Sequence, residues 1–291
     1  MSYHHYIFAV LLLPLNIALA NSLGKTLGTQ KKGLLLVPLE IITVPCLSDN
    51  YAFLMHSPEH NQTALVDAPE AAPIIEELDR RGWSLDMILL THHHYDHIDG
   101  VAALKERYAP VIVGAAADKH RLPALDTAVS DGTEFTFAGQ NIRVLDVSGH
   151  TVGHIAYFVP AAKAVFTADS LMALGCGRLF EGSAAQMWNS LSKLATLPDD
   201  TIVYSGHEYT QTNARFALTI EPGNAALISR AQSIAAARAS GRATVPSTLT
   251  EEKATNPFLR AHLPSMKLAL SMADSDDVSV FAEIRRRKDN F

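Results

Sequence analysis

Cysteine is almost absent from this chain. Its 291 residues include two, Cys46 and Cys176, far apart and in no CxxC pair. That excludes a disulfide-stapled scaffold and leaves at most one bridge; two buried free thiols in a reducing compartment are the expectation. Concentrated positive charge is missing as well. With a net charge of −6, a sequence pI of about 6.1 and no basic stripe in the first 280 residues, the chain does not read as a nucleic-acid binder. Internal repeats are lacking, and the one low-complexity stretch is a Gly/Lys/Gln-rich linker over residues 24–33. A hydrophobic fraction of 48% with 19% charged residues fits a soluble enzyme with a sizeable core.

Positive charge is also missing where an export signal would need it. Residues 7–20 are apolar and end in Ala18-Leu19-Ala20, resembling a signal-peptidase site, yet the first basic residue is Lys25. Pro14 and Asn16 interrupt the run, which is short for a membrane span. Residues 1–37 therefore read as an atypical extension. It is either a signal or, preferably, sequence ahead of a native start near Val37. The second reading puts the protein in the cytoplasm; only a real signal over residues 1–20 would send it to the periplasm. No membrane or protein partner is indicated, and a monomer is expected.

Beyond the linker, two textures follow. Residues 38–205 alternate short runs rich in Val, Ile, Phe and Tyr with turn residues. Strands are predicted over 40–44, 51–56, 63–66, 87–90, 111–114, 142–147, 155–159, 164–167 and 201–204. Helices are predicted over 71–81, 101–108 and 184–197, the first from Ile74, Ile75 and Leu78 at helical spacing ahead of Gly82. This is a layered α/β pattern. Residues 206–291 are Ala-rich, with helices predicted over 214–218, 225–240 and 265–273 and no strand, so they read as a helical C-terminal domain. The chain closes on the basic cluster Arg285-Arg286-Arg287-Lys288.

What the chain has in abundance is metal-ligand atoms in one place. Thr91-His92-His93-His94-Tyr95-Asp96-His97 follows the apolar run Met87-Ile88-Leu89-Leu90. Imidazole and carboxylate suit zinc and iron. A metal usually takes three or four protein ligands. His92, His94, Asp96 and His97 are too many for one ion once downstream candidates are added. Those candidates, His150, Asp169 and His207, each sit just past a predicted strand, with small neighbours that allow close approach. His93, His154, His56, His60, His120 and His262 read as ordinary hydrogen-bonded residues.

The segment from Thr91 to Gly100 resembles the THxHxDHxxG signature of the metallo-β-lactamase superfamily. Five further segments narrow the resemblance to the glyoxalase II (hydroxyacylglutathione hydrolase) family. They are Leu47-Ser48-Asp49-Asn50-Tyr51, residues 149–154, residues 175–182, Gly206-His207-Glu208-Tyr209-Thr210 and Asn256-Pro257-Phe258-Leu259-Arg260; the terminal residues 285–291 join them. The resemblance covers residues 38–291. It implies an αββα sandwich with a helical C-terminal domain that binds substrate. It implies two divalent ions, zinc first with iron or manganese as alternatives. His92, His94 and His150 would hold one ion, Asp96, His97 and His207 the other, and Asp169 would bridge them. The implied reaction is attack of a metal-bridged hydroxide, oriented by Asp96, on a glutathione thioester such as S-lactoylglutathione. It yields glutathione and D-lactate, the second step of methylglyoxal degradation. Arg178, Phe180, Tyr209, Arg285 and Lys288 would bind the substrate. Many relatives have Lys where Arg178 stands, and some have Tyr where Phe180 stands. The alternatives are a single-iron glutathione-persulfide dioxygenase on the same fold and a non-catalytic metal-binding protein.

Overall fold

In the computed structural model the described residues are 38–291, all within Leu36–Phe291, the second of the chain's two compact units. The expectations for residues 1–37 lie outside the described residues.

The first sheet comprises β1 (Glu40–Cys46), β2 (Asn50–Ser57), β3 (Gln62–Val66), β4 (Met87–Leu89), β5 (Val111–Ala115) and β6 (Thr127–Val129), in that order. Pairing is antiparallel from β1 to β3 and parallel from β3 to β6. The second sheet contains β7 (Glu134–Phe137), β8 (Gln140–Asp146), β9 (Ile155–Val159) and β10 (Ala164–Ala168). A separate hairpin, β11 (Leu171–Met172) and β12 (Gly175–Cys176), follows β10. Then β13 (Ile202–Ser205) pairs parallel with β10, and β14 (Ser247–Thr248) completes the edge.

Burial on both faces explains why β9 and β10 of the second sheet read as almost continuously apolar. Ile155, Tyr157 and Val159 of β9, with Ala164 and Phe166 of β10, face a core shared with Phe53, Leu65 and Ile88 of the first sheet. Ala156, Phe158 and Val165, on the opposite face, join a second core built with helices. Aromatic rings bridge the sheets, with Phe53 and Phe166 at 5.7 Å and Phe53 and Tyr204 at 5.1 Å. The outer face of the first sheet is covered by α1 (Ala71–Arg81) and, beyond the four-residue α2 (Tyr95–Ile98), by α3 (Val101–Tyr108), through Ile74, Leu78 and Leu104. The outer face of the second is covered by α4 (Ala184–Ala195), whose Ser183/Gln186 capping box fixes its start, and by the C-terminal helices. The four layers are the expected αββα sandwich.

The C-terminal segment supplies α5 (Thr210–Ile220), α6 (Ala225–Ala239), α7 (Leu249–Thr255), α8 (Pro264–Ala269) and α9 (Asp277–Asp289). It also supplies a strand, contrary to expectation. β14 pairs with β13 through Ile202–Thr248 and Val203–Ser247, a pairing of two residues that leaves no pattern in the sequence. α9 is a second difference. Its residues are strongly charged, and only Val280, Phe281, Ile284 and Arg285 are buried. These few anchors reach Trp188 and Phe258, with the Phe281 ring 5.7 Å from Phe258. Truncating Phe281 to Ala should cost about 3–5 kcal/mol by cavity formation, read as a lowered Tm. Because α9 also carries Arg285 and Lys288, an unchanged Tm would show that the helix is not anchored through this ring.

Candidate metal centre

The chemistry-bearing side chains gather where strands end. Asp67 follows β3, the heptad follows β4, His150 follows β8, Asp169 follows β10 and His207 follows β13. Two of these exits need unusual backbone. Asp67 itself has φ 56°, and Ala168, at the β-bulge before Asp169, has φ 41°. Left-handed conformations at non-glycine residues cost energy and turn the chain sharply, aiming the next groups into the site. Gly206 completes the fit. A Cβ there would lie 2.6 Å from Asp169 Oδ1 and 2.8 Å from His97 Cε1.

Six of the expected ligands form two triads whose donor atoms lie within 4.8 Å of one another: His92, His94 and His150; and Asp96, His97 and His207. In the first, His94 Nδ1 stands 3.2 Å from His92 Nε2 and 3.0 Å from His150 Nε2. In the second, Asp96 Oδ2 stands 3.5 Å from His207 Nε2 and 3.9 Å from His97 Nε2. Asp169 lies between them. Its Oδ2 is 3.4 Å from His150 Nε2 and 3.3 Å from His207 Nε2, while its Oδ1 is 3.6 Å from His97 Nε2.

Four of the five imidazoles are turned by a partner on the other nitrogen. Nδ1 of His97 donates to Asp67 Oδ2 at 2.8 Å, Nδ1 of His207 to Asp49 Oδ1 at 2.9 Å, and Nδ1 of His150 to the Arg178 carbonyl at 2.7 Å. His92 Nδ1 meets Thr91 Oγ1 at 3.0 Å, and that hydroxyl donates to Asp67 Oδ2. Such outer partners fix the ring and leave the inner nitrogen free to accept a metal. Asp96 is held by the Asn50 amide, at 2.9 Å to its carbonyl and 3.1 Å to Oδ2. Asp67 also groups with His92 and His97, but its oxygens are already occupied by the Thr91 backbone, the Thr91 hydroxyl and His97. It therefore orients ligands.

The donor set fits metal ions. His97 Nε2 and Asp169 Oδ1 are buried polar atoms with no hydrogen-bond partner, a costly condition that a bound cation would relieve. Burial, then neighbouring imidazoles, pulls His92 well down and His94 to about 4, so the first triad is neutral at physiological pH. Burial opposes charge on His97 and His207 too, but Asp169 outweighs it and raises both. Asp169 in turn is held well below the usual carboxylate range, its burial outweighed by His207 and His97. A cation can supply the positive charge that this carboxylate now draws from protons.

The site opens into a cavity of about 690 Å³ lined by His94, Asp96, His150, Asp169 and His207 on one side, with Arg178, Phe180, Tyr209, Arg285 and Lys288 around it. Phe180 is exposed, its ring 5.7 Å from His94 and 5.3 Å from His150. Tyr209 stacks on His207 at 4.6 Å. Arg285 reaches the cavity nearly buried, with Nη1 donating to the Cys176 carbonyl at 3.0 Å and Nη2 paired with Asp289 at 2.7 Å. Lys288 lies between the rings of Phe216 and Phe291, at 5.3 and 5.2 Å. Burial, then Arg285 and Arg215, brings its ammonium down to about 8.

His93 turns away from the triads to Asp118 at 2.8 Å, and His154 stacks on His92 at 4.5 Å. Neither belongs to the grouped donors. Asp67, Asp49 and Asn50 escaped sequence reasoning. The available signals were the position of Asp67 just after β3, like the other site residues, and the Asp49-Asn50 pair in a motif otherwise noted only for its resemblance.

Comparisons with known proteins identify the family and the fold. Residues 50–207 match the family model of the metallo-beta-lactamase superfamily, and residues 208–291 match that of the hydroxyacylglutathione hydrolase C-terminus. The chain is 68% identical over 255 residues to a hydroxyacylglutathione hydrolase of Ruegeria pomeroyi, covering 88% of this chain and all of that one. It is 61% identical to the Roseobacter denitrificans protein of the same name, with the same coverage. Among solved structures, ETHE1 from Myxococcus xanthus aligns with a TM-score of 0.59 at 24% identity, over 88% of this chain and all of that chain, which speaks to the fold.

Replacing Asp169 by Ala should reduce bound metal, measured by elemental analysis of the purified protein. Full metal content in that variant would remove Asp169 from both half-sites.

Proposed function

The chain belongs to the hydroxyacylglutathione hydrolase family of the metallo-β-lactamase superfamily, and from that premise we propose how its residues perform the hydrolysis of an S-(2-hydroxyacyl)glutathione thioester. The reading is carried by one observation: His94, Asp96, His150, Asp169 and His207 line one cavity together with the basic side chains Arg178, Arg285 and Lys288, and His92 and His97 complete the two donor triads behind it.

His92, His94 and His150 would hold one ion and Asp96, His97 and His207 the other, with Asp169 placed to serve both. We take the ions to be zinc, with iron or manganese as alternatives that nitrogen and oxygen donors also accept. When bound, they supply a nucleophile from water at neutral pH and draw charge from the thioester carbonyl. Asp96, fixed by Asn50, orients the attacking oxygen by accepting a hydrogen bond from it. The bond from carbonyl carbon to sulfur then breaks, and glutathione leaves as thiolate, which needs little acid assistance because a thiol pKa is about 8.5. S-lactoylglutathione is the substrate this chemistry suits, giving D-lactate.

Residues 38–205, with His207, carry the chemistry, and the rest of residues 206–291 most of the substrate recognition. Glutathione presents carboxylates, which Arg178 and Lys288 are suited to bind. Arg285, with two nitrogens already engaged, contributes by shaping the Cys176 loop as well as by charge. Phe180 lends an apolar wall and Tyr209 a hydroxyl. Two free buried cysteines support a reducing, cytoplasmic setting, and among the described residues no helix is long and apolar enough to cross a membrane. The working form is read as a monomer, which size-exclusion chromatography tests. A single-iron oxygenase would leave Asp96, His97 and His207 without a role, and nothing in the relatives supports a non-catalytic metal store.

The direct assay is loss of thioester absorbance on S-lactoylglutathione with two metals counted per chain; no turnover by the metal-loaded protein would overturn the reading. Replacing both Arg285 and Lys288 by Ala should raise KM more than it lowers kcat, and an unchanged KM would exclude the C-terminus from the site. Lys288 also sets a pH dependence. Its ammonium titrates near 8, below the ordinary lysine range, so it is charged below that pH and neutral above it. KM should rise as pH climbs through about 8, and Lys288→Arg should flatten that rise because guanidinium stays charged. An equal rise in the Arg variant would assign the titration elsewhere.

A further inference from the structure

We propose that Glu208 is a positioning residue that holds the Asp96, His97 and His207 half-site in register by tying it to the C-terminal segment. The inference rests on reading those three residues as ligands of one ion. Glu208 follows His207 but does not line the cavity. Its side chain is only 5% exposed, and a buried carboxylate is costly unless donors surround it. Here they do. Oε2 accepts from the Tyr51 hydroxyl at 2.8 Å and from the Thr244 backbone at 2.7 Å, Oε1 accepts from the Thr244 hydroxyl, and Arg238 Nη1 stands 3.4 Å away.

These contacts bracket the metal ligands. Tyr51 N donates to the Gly206 carbonyl at 2.8 Å, and Glu208 N donates to the Asp49 carbonyl at 2.8 Å. Between those two bonds lies the one from His207 to Asp49, and beside them the grip of Asn50 on Asp96. Residues 49–51 thus orient two of the three ligands of this half-site, and the Glu208 carboxylate fixes residues 49–51 against residues 206–208. It also fastens both to Thr244, in the connection from α6 to β14, and to Arg238 on α6. The other triad is oriented by Thr91 and the Arg178 carbonyl, neither of which touches Glu208. The support is therefore one-sided, and so is its loss.

The test is a cobalt(II) titration of metal-free protein followed by visible absorption, alongside Tm. Wild type should take two ions. Glu208→Ala should weaken the second by about 10- to 100-fold, the usual effect of removing an outer partner, and leave the first unchanged. Glu208→Gln should stay near wild type. Its amide oxygen can still accept from Tyr51 and the Thr244 backbone, and its amide nitrogen can donate to the Thr244 hydroxyl, which rotates to accept. Equal affinities in wild type and the Ala variant would overturn the proposal. So would a parallel loss of both ions with Tm, which marks a general structural role, or a Gln variant as weak as Ala. Should the Ala variant not fold, Tyr51→Phe decides: it removes one donor and keeps the ring, and an unchanged second affinity there overturns the proposal. A wild type that takes only one ion would instead defeat the two-ion reading.

Discussion

The arrangement depends on a buried negative charge that must be answered. Asp169 is almost inaccessible, yet its carboxylate is flanked by His150, His97 and His207 at 3.3–3.6 Å. Stripped of positive charge, it would be among the most costly groups in the protein. Its Oδ1 has no hydrogen-bond partner, and nearby Gly206 has no side chain that could intrude. The left-handed turn at Ala168 that delivers it to this spot adds backbone cost. Strain and desolvation at one point are tolerable where a cation is the intended answer.

The ligands are then constrained from behind. Four of the imidazoles present Nε2 inward because Asp67, Asp49, the Arg178 carbonyl and the Thr91 hydroxyl hold their Nδ1 atoms, whereas His94 presents Nδ1. That mixture follows from chain direction. His92 and His94 are two residues apart, after β4 has ended, so both can face one point, but they approach it from different sides and with different nitrogens. His93 between them must face out, and it meets Asp118.

This logic also decides what the sequence could reveal. Strand exits were legible because apolar runs with period-two burial end in polar residues, and the ligand types were legible because histidine is rare enough to stand out. The orienting acids were not. Asp67 and Asp49 look like turn residues until an imidazole is seen opposite them. The hairpin from Leu171 to Cys176 and the strand at Ser247–Thr248 are each too short to leave a pattern. α9 is not legible as a helix because its buried face is narrow: Val280, Phe281 and Ile284 recur at helical spacing among charged residues. Knowing that Arg285 turns inward requires knowing that this face is buried.

In the proposed reading, substrate recognition and metal support come from the same helical segment by different routes. α9 brings Arg285 and Lys288 to the cavity rim, while α6 and the connection after it bring Arg238 and Thr244 to Glu208 behind His207. The first route exposes charge to a ligand, and the second buries charge where no ligand reaches. A charge serves recognition when it is left partly unanswered, as with an ammonium that burial, then Arg285 and Arg215, pushes down to about 8. It serves geometry when each oxygen is met by a donor, as at Glu208. One segment does both through separate anchors: β14 pairs with β13, the strand just before His207, while α9 is held through Phe281 against Trp188 and Phe258.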